Sequence, residues 1–345
     1  MYGVKGSILR RGWPVLFLAA GLMFAGTAIG DETLWDRARA TFGVVGQTPP
    51  EALDLPVVKL GQALFWDTRL SANGKIACAS CHLAEEGSAD KRPFSKDARD
   101  HATSRNSQPV FNALLQPALR WTADRKSGSA QAQGSLTGSM GWNQADEVIP
   151  VLEKSGYGLL FAGAFPDDPQ PLSVVRFGEA VEAYERTLTT PAPFDCYLSG
   201  DKKALDDVAL KGLERFLTIG CADCHHGKLL GGEELAKFGV HGDSQLAAGS
   251  KSSDDGRFKT TKNEADRHVF RVAMLRNIGQ TAPYFHDGSV PSLSRAIAIM
   301  GQLQLDRDLA TDEIAEIEAF LKTLTGETPV NYATPVLPPG VTSAK

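Results

Sequence analysis

The chain has no acidic residue before Asp31, no later apolar run long enough to span a bilayer, no low-complexity tract and no repeat array. Sustained alternation of apolar and polar residues is also scarce. These absences exclude a multi-span membrane protein and a solenoid, and they argue against a β-rich fold. The acid-free leader contains Lys5, Arg10 and Arg11, followed by "PVLFLAAGLMFAGTAIG", a short apolar stretch ending in small residues. That order predicts a signal peptide over residues 1–30, cleaved near Gly30, and export to the periplasm without stable membrane insertion. A retained anchor is the alternative, against which the apolar stretch is short for a span.

Basic charge is in deficit. Of 36 Lys and Arg, three lie in the leader, which leaves 33 against 41 Asp and Glu, a mature charge of −8. This excludes nucleic acid as a partner and suits a basic protein partner. About 315 mature residues suit two domains better than one.

The patterns present are helical. "SVVRFGEAVEAYERTL" sets Phe177, Ala180, Val181, Tyr184 and Leu188 on one face at 3.6-residue spacing. "TDEIAEIEAFLKTLTG" has acids in its first turn, a stripe of Ile314, Ile317, Leu321 and Leu324, and Gly326 past its end. Loops rich in Gly, Ser and Pro fall at 122–143 and 241–256. "TTPAPFDCYLSGD", residues 189–201, is the expected junction between an N-terminal domain, 31–195, and a C-terminal domain, 196–345. The fold class is mostly α.

Cysteine is scarce, and four of the five occur in two copies of one pattern. "KIACASCHLA" (75–84) and "IGCADCHHGK" (219–228) each contain C-x-x-C-H; Cys196 is left over. In a helical turn, positions i, i+3 and i+4 share a face. Cys78 and Cys81, or Cys221 and Cys224, then form thioethers to the vinyl groups of a haem while His82 or His225 reaches its iron. A four-cysteine zinc site needs its pairs much closer than the 139 residues between Cys81 and Cys221. A thioredoxin-like dithiol expects a βαβ setting that is absent, and neither alternative explains a histidine after both pairs. Two covalent c-type haems, one per domain, are expected. The second axial ligand decides between electron transfer and chemistry; the candidates are Met140, Met274, Met300, His101, His226, His241, His268 and His286.

"LGQALFWDTRLSANGKIACASCH", "SRNSQPVFNALL", "YERTLTTPAPFDCYLSGDKKAL", "GCADCHHGKLLGG" and "LRNIGQTAPYFHDGSVPSLSRAIAIM" together resemble the bacterial dihaem cytochrome c peroxidases, over residues 56 to 326. A related dihaem enzyme matures a tryptophan-derived quinone cofactor. The resemblance implies two cytochrome c-like haem domains, hydrogen peroxide as substrate and a small cytochrome c or copper protein as electron donor; a homodimer is left open. It makes the His82 haem peroxidatic and the His225 haem the electron-transfer site, with Met300 as the latter's second ligand and Met274 as core. It also places Trp121 on the electron path, Gln131 over the first haem, and Asn106, Thr281 and Pro283 around a calcium ion. His286 and Arg276 fit neighbours of haem propionates. In the family a histidine from the loop after C-x-x-C-H often caps the resting N-terminal haem; His101 is the one candidate in that loop here, and it stands nearer Arg105 and Asn106 than the family pattern implies. The chain departs from the family where a distal glutamate is expected: "GSLTGSMGW" has no carboxylate, and Asp146 and Glu147 are the next acids. That departure keeps open a non-catalytic dihaem electron carrier and a dihaem oxidase that modifies a protein substrate.

Overall fold

A computed structural model describes residues 32–243, 249–250 and 253–336; the expected signal segment lies outside them. The helices that position the site are α1 (Leu34–Thr41), α2 (Pro56–Trp66), α3 (Gly128–Thr137), α4 (Val174–Arg186), α5 (Pro193–Leu198), α6 (Asp207–Thr218), α7 (Leu293–Leu305) and α8 (Thr311–Lys322). Local chemistry sets their starts. Ser127, Ser173, Asp206 and Ser292 each accept a hydrogen bond from a first-turn N–H of α3, α4, α6 and α7, and Pro56 opens α2. The described residues contain one two-stranded antiparallel sheet, β1 (Leu235–Lys237) with β2 (Val269–Arg271), in the register Leu235↔Arg271.

Apolar side chains gather into two cores. One holds Leu64, Phe65, Phe111, Phe161, Phe177 and Tyr184; the other holds Phe194, Leu213, Phe216, Leu230, Ile317 and Phe320. The buried face of α4 is the stripe that periodicity predicts. On α8, Ile317 and Leu321 are buried as expected and Phe320 joins them, whereas Ile314 is half-buried. The helix stops at Lys322, so Leu324 and Gly326 belong to the loop after it. There the Gly326 N–H donates to Asn277 Oδ1 at 3.0 Å.

The two cores repeat one construction. In the first, α2 crosses α4 so closely that a Cβ on Gly61 would lie 1.9 Å from the carbonyl oxygen of Ala180. In the second, α6 crosses α8, and a Cβ on Gly212 would lie 1.9 Å from the carbonyl oxygen of Glu316. Only glycine permits either approach. The glycine-bearing helix leads in each case into a C-x-x-C-H segment.

The partition of the chain is less simple than a cut at 195/196. That position falls inside α5, whose Phe194, Tyr197 and Leu198 join the second core. Ala38 and Phe42, from the start of the chain, also lie in the second core, while Tyr332, near the end, lies in the first. Asp195 ties these segments together. Its carboxylate accepts from Val45 N (2.7 Å), Ala192 N (2.8 Å) and both terminal nitrogens of Arg276 (2.6 and 2.9 Å).

Candidate haem sites

Each C-x-x-C-H segment contains a single 3₁₀ turn, Cys78–Ser80 and Cys221–Asp223. The turn suffices to bring the three side chains round. His82 N donates to Cys78 O at 3.2 Å, and His225 N donates to Cys221 O at 3.0 Å. The loop beyond then fixes the imidazole. Ser88 and Leu230 both sit in the left-handed region (φ 63° and 50°), and their carbonyls face His82 Nδ1 at 3.1 Å and His225 Nδ1 at 3.0 Å. A carbonyl only accepts, so Nδ1 carries the proton in each ring and Nε2 keeps its lone pair. Burial pushes both imidazoles below their ordinary pKa, which favours the neutral form that ligates iron.

The thiols decide between the alternatives. Burial raises all four, Cys78 to about 12 and Cys221 to about 11. Zinc ligation and dithiol exchange both require accessible thiolate. An uncharged thioether has no such need. Among the described residues, no three His, Cys, Asp or Glu side chains converge as a metal cluster. Cys196 is exposed and distant from both turns in sequence.

Beside the second turn lies a cavity of about 380 Å³ whose wall includes Cys221, Cys224, His225, Phe216, Leu293 and Ile297. Met300, half-buried on α7, and Met274, buried against Val45 and Leu229, both line it. Two buried polar atoms in this wall, Gln116 Oε1 and one terminal nitrogen of Arg271, have no hydrogen-bond partner. An apolar slot with an imidazole whose Nε2 is free, two thiols and an unpartnered guanidinium nitrogen fits a haem with its propionates. Trp121 is on the same wall, its indole N–H donating to Asn106 O at 2.9 Å and its ring edge-on to His286 at 6.4 Å. Asn106, Thr281 and Pro283 line this cavity too. The Asn106 amide nitrogen is anchored on Arg92 O (3.1 Å) and Pro93 O (3.3 Å).

Arg276 and His286 line the cavity as well, Arg276 with a fully buried guanidinium paired with Asp195. Other expected residues are placed differently. Gln131, on α3, is held by Arg120, whose Nε donates to Gln131 Oε1 at 2.8 Å. Glu147 accepts from Asn143 N at 3.2 Å and, with Asp146, starts a short helical turn, so these acids do not fold back onto Gln131. The His101 side chain is 74% exposed, 3.8 Å from Asp97. Its loop is docked by Arg99, which donates to Trp142 O at 2.9 Å. Sequence reasoning missed Tyr332, whose hydroxyl donates to His82 O and whose ring meets Phe65, Trp66 and Phe111 edge-on. A lone tyrosine in a proline-rich tail carries no signal for that contact.

Residues 56–203 match the di-haem cytochrome c peroxidase family. The chain is 40% identical over 325 residues to a cytochrome c551 peroxidase of Pseudomonas aeruginosa, covering 92% of this chain and 93% of the relative. It is 35% identical to a cytochrome c551 peroxidase of Nitrosomonas europaea, covering 94% of each. Among solved structures, a MauG-like protein associated with microbial copper homeostasis superposes with a TM-score of 0.72 at 27% identity, covering 84% of this chain and 96% of that one. With its duplicated haem-binding turns and full-length likeness to these enzymes, the chain belongs to the dihaem cytochrome c peroxidase family.

Proposed function

We infer that the chain reduces hydrogen peroxide to water, taking electrons one at a time from a small cytochrome c or copper protein. The observation that carries this reading is the pair of C-x-x-C-H turns, each with its imidazole Nδ1 held by a loop carbonyl and Nε2 left for iron. Haem bound at the two turns supplies the iron centre that binds peroxide and the reducing equivalents for its cleavage. The protein's own part divides between two modules, residues 31–195 and 196–345, each read as a cytochrome c-like domain. The repeated glycine crossing of α2 with α4 and of α6 with α8 supports that division.

At the N-terminal site, Gln131 orients peroxide through hydrogen bonds. Arg120, bound to Gln131, brings a positive charge that stabilises charge developing on the departing oxygen. This replaces part of what a distal carboxylate would contribute, usually about 10²–10⁴-fold for a positioned acid–base group. At the C-terminal site, Met300 would hold the iron together with His225, and Met274 is packing. Thioether ligation raises a haem potential, which suits an electron acceptor. Trp121, fixed by Asn106 O, lies on the route between the modules. Asn106, Thr281 and Pro283, sharing one cavity wall, are the proposed calcium neighbours, since hard oxygen donors suit that ion. His101 acts as a cap only if its loop turns inward. Signal cleavage near Gly30 and a periplasmic location complete the reading.

The test is peroxide-dependent oxidation of a reduced small cytochrome c by the calcium-loaded protein, with two cytochromes oxidised per peroxide as the expected stoichiometry. A second reading, a non-catalytic electron carrier, is favoured by the missing carboxylate alone. Reversible reduction of both haems with no peroxide consumption at any redox state would select it.

A further inference from the structure

Arg271 lies on β2 and is 4% exposed. Its backbone N–H donates to Trp121 O at 2.6 Å, so the strand is fastened to the tryptophan segment. The guanidinium makes two further bonds, both to neutral acceptors: Nε to Arg120 O at 3.0 Å and one terminal nitrogen to Gln108 Oε1 at 3.1 Å. The other terminal nitrogen is buried on the wall of the haem cavity with no partner. No carboxylate among the described residues pairs with this side chain. The buried Arg276 is matched by Asp195, and the half-buried Arg105 by the buried Asp254. An unpaired guanidinium in such surroundings is costly unless an anion meets it. Burial alone pushes Arg271 down to about 10, with no neighbouring acid opposing it.

We propose that Arg271, rather than Arg276, is the counter-ion of a propionate on the haem held by Cys221, Cys224 and His225. The propionates are the anionic groups of a haem, and they leave the porphyrin at the edge opposite the vinyl groups that take the thioethers. A second wall, away from the C-x-x-C-H turn, must therefore receive them. Arg271, on the wall of the same cavity as Cys221, Cys224 and His225, offers the charge and the free N–H. As a positioning residue beside Trp121, it also sets the electrostatics of the electron-accepting haem: a neutralised propionate stabilises the ferrous state relative to the ferric.

The inference rests on covalent haem at the second turn, and its test is independent of peroxide turnover. Mass spectrometry of each variant first establishes that both haems are attached; a missing haem in the wild type would defeat the attachment reading rather than this one. Spectroelectrochemical titration then resolves both midpoints. Arg271→Leu is expected to lower the C-terminal midpoint by at least a tenfold change in the reduction equilibrium, about 59 mV for one electron. Arg271→Gln, which keeps hydrogen bonding but not charge, should do the same, and Arg271→Lys should recover most of the wild-type value. Unchanged midpoints in a neutral variant carrying both haems, or a shift confined to the N-terminal haem, would overturn the assignment. Should neither neutral variant fold, the lysine variant decides alone, since the full drop despite a retained charge would also overturn it.

Discussion

Single side chains carry most of the chemical specificity. The thiols of both turns are raised above their ordinary pKa, chiefly by desolvation, and the two imidazoles are held with Nε2 free, so each turn is prepared for a thioether-bound haem before haem arrives. The Arg120 guanidinium contacts Gln131, and burial, with Arg125 nearby, lowers its pKa. Replacing it with glutamine should slow the reaction with peroxide about 10²-fold, the usual size of one lost transition-state donor. Stopped-flow mixing of peroxide with the half-reduced protein measures this, and an unchanged rate would remove Arg120 from the distal site. Glu185 is a separate case. Burial, with help from Glu182, pushes its carboxyl up from an ordinary 4.5 to about 8. Between those values the folded state binds more protons than the unfolded chain, so stability falls as pH rises through that window. Urea unfolding of the haem-loaded protein at about pH 5.5 and pH 8 should show a smaller difference in Glu185→Gln than in wild type. An identical pH dependence in both would mean that the carboxyl is ionised throughout.

The elements show how far periodicity reaches. The faces of α4 and α8 were legible because burial on a helix follows a 3.6-residue repeat, and Phe177, Val181, Tyr184, Ile317 and Leu321 are all buried. The haem turns were legible because C-x-x-C-H is a local pattern. Partnerships across long sequence distances were not. Nothing local marks Gly61 for Ala180, Asp195 for Arg276, Tyr332 for His82, or Arg271 for Trp121, because each depends on how separate elements pack. The same limit hides the pairing of Arg276 with Asp195. Two consequences follow for the helix pairs. Gly61→Ala and Gly212→Ala should each destabilise the protein by about 1–3 kcal/mol or more, because the added Cβ meets backbone rather than a movable side chain. Thermal unfolding of the holoprotein checks both, and a neutral effect at either position would show that the crossing relaxes freely. Asp195→Ala should cost about 3–5 kcal/mol, since it strands a buried guanidinium. Urea unfolding measures that loss, and a cost under about 1 kcal/mol would mean that Arg276 finds another partner.

At the scale of the whole molecule, one construction occurs twice: a glycine-crossed helix pair followed by a haem turn. Exchanged ends, with α1 in the second core and Tyr332 in the first, bind the halves of the chain to one another. Trp121 joins residues far apart in sequence, its indole N–H donating to Asn106 O and its own carbonyl accepting from Arg271 N. All of this depends on two haems being covalently attached, one per turn. The direct measurement is the intact mass of the purified protein after denaturation, for wild type, for Cys78→Ala with Cys81→Ala, and for Cys221→Ala with Cys224→Ala. The expected result is the polypeptide plus two haems in wild type and plus one haem in each double variant. A wild-type mass without haem, or haem extracted by acid–acetone, would contradict the account.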